Sequence, residues 1–168
     1  EIISKIGENI VLRRIKLIKQ ENNTKIFSYT HNSYKPNIGK ICVALKVEID
    51  FLENNEVKFP ESTQLGKNLC MHIAASKPLS LDINDLDENL IKNEKEIQLA
   101  NIKMSGKDNN IAEKILEGKM KKFYSESTLL NQNYILDDKK TVKQVIDDYS
   151  KNIGNFKIID YTIYILGS

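Results

Sequence analysis

A chain of 168 residues with 40% hydrophobic and 29% charged side chains has the composition of a folded protein, and its length suits one compact domain with room for an insertion. Lys and Arg number 25 against 23 Asp and Glu, so the net charge of +2 is too weak a field to gather nucleic-acid phosphates or an anionic membrane. No apolar run approaches the roughly 20 residues of a bilayer crossing, and no basic-then-apolar segment opens the chain, so a soluble, cytoplasmic protein is expected, or an organellar one in a eukaryotic source.

Residues 10–18 alternate, with Val11, Ile15 and Leu17 on one side and Arg13 interrupting, which predicts a strand with a polar outer face. "KIFSYTH", residues 25–31, reads as a second strand, and "HNSYKPNIG", residues 31–39, as a hairpin loop rich in turn formers. "KICVALKVEI" is the clearest strand: Ile41, Val43, Leu45, Val47 and Ile49 face one way, Cys42, Ala44, Lys46 and Glu48 the other. Three successive strands favour an antiparallel meander, one face of which must be covered. The cover is a helix carrying Leu65, Leu69 and Ile73, stopped by Lys77 and Pro78. Cys42 and Cys70 each sit in an apolar pattern without metal or redox spacing, and buried thiols are expected.

After the acidic connector "LDINDLDEN" a helical pattern places Leu90, Ile97, Ala100 and Met104 on one stripe, with Gly106 as its cap. Asn110 with Glu113 three residues later resembles a capping box, and Ala112, Leu116, Met120 and Phe123 form the next stripe around Gly118. Two helices joined by so short a turn predict an antiparallel hairpin, in which Gly118 would let the backbones approach and a second apolar face would suit a second copy of the chain. "NQNYILDDKK" is then a loop with an apolar tip. Thr141 caps a helix carrying Val142, Val145, Ile146 and Tyr149, and Ile159, Tyr161, Ile163 and Ile165 align on a closing strand. Gly7 and Gly154 both read as a helix end turning into a strand. The expected class is α+β: an antiparallel three-stranded sheet packed with helices, with an inserted antiparallel helical hairpin.

Chemistry is harder to find. His72, in "CMHIAAS", has no ligating partner one turn away and reads as a satisfied structural histidine; His31 ends a strand beside a polar loop and is free to make a contact. "DINDLDEN" fails as a calcium loop, because Asp87 stands where glycine is needed and Asn93 where the twelfth position requires glutamate. Nucleophile-elbow, phosphate-loop and dinucleotide fingerprints are absent, and the lysines of "GKMKK" read as a solvated helix face. No aromatic-basic pattern marks an RNA-binding module. A binding or regulatory protein, with no catalytic residue, cofactor or metal, is the expectation.

The blocks "SKIGENIVLRR", "NLCMHIAASKP" and the long run "SGKDNNIAEKILEGKMKKFYSESTLLNQNYILDDKKTV" resemble bacterial and organellar elongation factor Ts. The resemblance implies an exchange factor that promotes GDP release from the translation GTPase elongation factor Tu by protein–protein binding, without covalent chemistry. It divides the chain into a core subdomain, residues 1–79 and 128–168, and a dimerisation hairpin, residues 80–127, with residues 1–9 closing a preceding subdomain. It also carries over partner-binding residues. The Ile-Gly pair of "KIGEN" matches Ile6 and Gly7, the histidine of "SYxH" matches His31, and the apolar pair after "LxxQ" matches Ile135 and Leu136, with Tyr134 in place of the usual Phe. The "TDFVAxN" motif and the N-terminal helical module of the family are not in these 168 residues, which implies a fragment with weakened exchange. The alternative is a non-exchanging dimerisation or scaffold protein of the same fold.

Overall fold

The computed structural model describes residues 2–21, 23–51, 59–104, 109–152 and 154–167. In chain order come α1 (Ile2–Ile6), β1 (Thr24–His31), β2 (Ile41–Phe51), α2 (Phe59–Ser76), α3 (Glu88–Met104), α4 (Asn109–Ser127), β3 (Asn133–Tyr134), β4 (Asp137–Thr141), α5 (Val142–Asn152) and β5 (Gly154–Ile165). The fold is α+β. A three-stranded antiparallel sheet in the order β1-β2-β5 is joined by a small β3-β4 ribbon.

Alternation along β2 decides the architecture. Val43, Leu45, Val47 and Ile49 are buried on the inner face, where Leu65, Leu69, Cys70 and Ile73 of α2 and Val142 and Ile146 of α5 meet them. Removing side chains of this size from water is worth roughly 1.5–3 kcal/mol each, so this layer dominates the fold's stability. α2 approaches β1 closely because Gly66 has no side chain: a Cβ there would run into the Phe27 ring. The helix ends as expected, with Lys77 in the left-handed region (φ 47°), its N–H bonded to the Ile73 carbonyl at 2.9 Å, and Pro78 following. Cys70 is buried, which pushes its thiol up to about 12; Cys42 is half-buried on the other face, and both are free thiols.

The third strand is not the expected one. Residues 10–18 form no strand, and Ile15 and Leu17 are each 79% exposed. Alternation reports which way side chains point, but a strand also needs a ladder, and this segment pairs with neither edge strand of the sheet, β1 or β5. The segment instead crosses the outer face of the sheet. Lys16 bonds Asp160 at 2.5 Å, the Arg14 guanidinium lies 5.1 Å from the Tyr164 ring centre, and Ile18 shares a cleft with Ser28, Thr30, Cys42 and Thr162. Gly7 (φ 74°) does close α1, its N–H reaching the Ile3 carbonyl at 2.8 Å, but no strand follows it; Gly154 does open one.

A bulge corrects the closing strand. Pairing slips between Lys46 and Val47, so Ile158 and Phe156 enter the core while Ile159, expected to align with Tyr161, points outward. The α3 stripe is likewise rephased: Ile102 is buried, while Leu90, Ile97 and Ala100 are exposed. On α4 the expected stripe holds, with Met120 buried and Ala112, Leu116 and Phe123 half-buried. Gly118 faces open space rather than a neighbouring backbone, so it admits no close approach. Asn110 lies inside α4 rather than ahead of it, and Gly106 falls outside the described residues. Thr141 and Gln144 make the capping box of α5, the Gln144 N–H reaching Thr141 Oγ1 at 3.2 Å and the Thr141 N–H reaching Gln144 Oε1 at 2.8 Å.

Candidate partner-binding site

The turn between β3 and β4 presents Ile135 and Leu136, 42% and 57% exposed. Two-residue hairpin loops favour positive φ, which matches strand twist, yet neither residue has it. The mismatch accompanies a ladder of only two pairs, with a register shift between Asn133 and Tyr134. So short a ribbon is not a frame in itself. Its support comes from beneath: Tyr134 is buried between turn and core with its ring centre 5.9 Å from that of His72, and burial raises its pKa while a bond with Asn68 opposes this.

His72, fully buried on α2, accepts the Ile135 backbone N–H at its Nδ1 (3.3 Å) and meets Gln132 Oε1 at its Nε2 (2.9 Å). The Gln132 amide nitrogen donates to the Glu126 carbonyl at 2.7 Å and the Ser76 carbonyl at 3.5 Å, tying the ends of α2 and α4 to the turn. Burial lowers the His72 pKa, and the bond to Gln132 offsets this in part. Sequence spacing correctly gives His72 as structurally satisfied. Its bond to Ile135 escapes notice there, because the two stand 63 positions apart.

His31 occupies the exposed last position of β1, beside the 32–40 loop. Tyr29 Oη lies 3.1 Å from its Nδ1, its carbonyl accepts the Lys40 N–H at 3.1 Å, and Gly39 packs so closely on that carbonyl that a Cβ would stand 2.6 Å from it. The backbone is fixed while the ring faces solvent. Ile6 is exposed at the end of α1 and Gly7 is the open cap beyond it. Their continuation, residues 9–14, borders Gly39, Lys40 and Tyr164 at the hairpin end of the sheet, the end that carries His31. Ile135 and Leu136 are held separately, by α2. The five residues are therefore exposed in two groups on different supports.

Among the described residues no group of three or more His, Cys, Asp or Glu is placed to hold a metal ion, and no helix is long and apolar enough to cross a membrane. What this surface offers is exposed apolar side chains on a braced backbone, which suits contact with a protein.

The family model described as "Elongation factor TS" matches residues 1–168. Elongation factor Ts of Orientia tsutsugamushi (strain Boryong) is 39% identical over 153 residues, 91% of this chain and 48% of the relative. The protein of the same name from a Nitratiruptor species is 43% identical over 166 residues, 98% of this chain and 52% of the relative, and that of Rickettsia felis is 36% identical over 99% of this chain and 52% of the relative. The chain thus spans about half the length of these curated relatives. With that family model matched from end to end, the chain belongs to the elongation factor Ts family.

Proposed function

We propose that this chain takes part in guanine nucleotide exchange on elongation factor Tu, as a protein that binds the nucleotide-free GTPase more tightly than the GDP form. Linkage then requires that its binding weaken GDP by the same factor. The observation that carries the reading is the exposure of Ile135 and Leu136 on a turn that buried polar bonds hold in place. Both residues, with His31, are assigned as contacts to the GTPase, and Ile6 and Gly7 as a third contact beside His31. A cytoplasmic or organellar setting follows from the role.

Residues 80–127 are read as an inserted dimerisation domain, and residues 1–79 and 128–168 as the core subdomain, with residues 1–9 belonging to a preceding one. In support, the insertion's two ends meet: the Leu79 N–H bonds the Ser127 carbonyl at 2.8 Å, and the Leu129 N–H bonds the Ser80 carbonyl at 2.9 Å. The exposed Leu90, Ile97 and Ile111 favour a second reading, a non-exchanging scaffold that pairs through this hairpin. Release of fluorescent GDP from elongation factor Tu separates them. Acceleration, weaker than a full-length relative gives because "TDFVAxN" is missing from these residues, supports exchange; binding without acceleration supports the scaffold, and no binding overturns the exchange reading.

A further inference from the structure

We propose that His72 is a positioning residue for partner binding: clamped by Gln132, its ring accepts the Ile135 N–H and sets the angle at which the turn presents Ile135 and Leu136. The inference rests on the reading of that turn as a contact with elongation factor Tu.

The hydrogen-bond network fixes the tautomer. The Ile135 N–H donates to Nδ1, and the Gln132 amide nitrogen donates to the Glu126 carbonyl at 2.7 Å, which leaves Oε1 facing His72 as an acceptor. Nε2 of His72 must then carry the proton, which leaves Nδ1 bare to accept the Ile135 N–H. The buried ring has one tautomer and one orientation. It needs both, because a two-pair ladder with a register shift and a turn without positive φ does not define the turn's angle by itself. Through Gln132 the setting is referred to the ends of two helices, a far stiffer base than the ribbon.

Two amide substitutions separate the ring's two bonds. His72→Asn places an amide oxygen where Nδ1 stands and keeps the acceptor for Ile135, while His72→Gln places an amide nitrogen where Nε2 stands and keeps only the bond to Gln132. Affinity for nucleotide-free elongation factor Tu is measured where circular dichroism finds each variant folded, and exchange of the Ile135 amide proton is followed by NMR. The Asn variant, which keeps the acceptor but loses the Gln132 clamp, is expected to bind about threefold more weakly than the parent, and the Gln variant, which loses the acceptor, about tenfold more weakly with faster Ile135 exchange. Equal binding by the two variants, strong or weak, overturns the proposal. Ile135→Pro is the second variant, since it deletes the donor without entering the core and proline suits the first position of a turn with negative φ. It is expected to bind about threefold or more below Ile135→Ala, and equality of the two overturns the proposal. The combined Ile135→Ala and Leu136→Ala variant tests the underlying reading: parent-like binding removes the turn from the interface and the proposal with it, whereas lost binding beside a parent-like Gln variant removes His72 alone.

Discussion

The α2 layer and the molecule's periphery use the same residue types to opposite ends. His72 is buried with both ring nitrogens engaged, and His31 is exposed with one ring nitrogen near Tyr29 Oη. Gly66 stands where any Cβ would strike Phe27, and Gly118 stands in open space on α4. What a residue contributes is thus set by what surrounds it, and each pair permits a direct test in which one substitution has two different outcomes.

The largest difference is expected at the histidines. His72→Ala strands the Gln132 oxygen and the Ile135 N–H and empties a space in the core, so it should cost about 3 kcal/mol in urea denaturation. His31→Ala should move the same curve by less than about 0.5 kcal/mol. A His72→Ala chain as stable as the parent would sink the contrast. Gly66→Ala comes next. It forces the Phe27 ring or the helix aside, and about 2 kcal/mol of destabilisation is expected, together with disturbed Phe27 resonances; an unshifted unfolding midpoint would mean that α2 moves off the sheet freely.

Acid should divide the histidines again. The folded-state pKa of His72 lies below its ordinary 6.5, so below that pH the unfolded chain takes up a proton that the folded chain refuses. Stability therefore rises with pH through the window below 6.5 and, as far as this group is concerned, is level above it. The slope is at most that of one proton, about 1.4 kcal/mol per pH unit. His72→Gln should remove this component and His31→Ala should retain it, as read from unfolding midpoints across that range. A parent-like slope in the Gln variant would assign the acid sensitivity elsewhere.

The sequence patterns that proved reliable were those tied to a buried face. The alternation of β2 and the four-residue spacing of Leu65, Leu69 and Ile73 each correspond to one packed surface, and packing enforces the pattern. Residues 10–18 carry a similar alternation and form no strand, because alternation gives the direction of side chains and not the pairing of the backbone. One extra residue in β5 reverses the facing of Ile158 and Ile159, and no composition signal marks a bulge. At the candidate site the exposed residues could be named from motifs alone. The brace beneath them could not, since His72, Gln132 and Ile135 come together only through the fold.

Gly118 gives the next smaller effect, and in the opposite direction. With nothing near its absent Cβ and ordinary helical surroundings, Gly118→Ala should stabilise α4 by about 0.5–1 kcal/mol through backbone entropy alone. Destabilisation would reveal a hidden neighbour, and a second copy of the chain packed on the hairpin is the one the scaffold reading supplies; light scattering on parent and variant identifies it.

His31 closes the series because its expected effect on stability is the smallest while its expected effect on function is not. The backbone at this position is fixed independently of the ring, by the Lys40 N–H on the His31 carbonyl and by Gly39 packed against it. Removing the imidazole therefore leaves the hairpin in place and subtracts only what the ring does outside the chain. If that is a contact with elongation factor Tu, His31→Ala should lower affinity about tenfold with an unchanged unfolding curve, a pairing that a structural residue cannot produce. Unchanged affinity in a titration of nucleotide-free GTPase would remove His31 from the interface and leave the 135–136 turn as the contact to be tested.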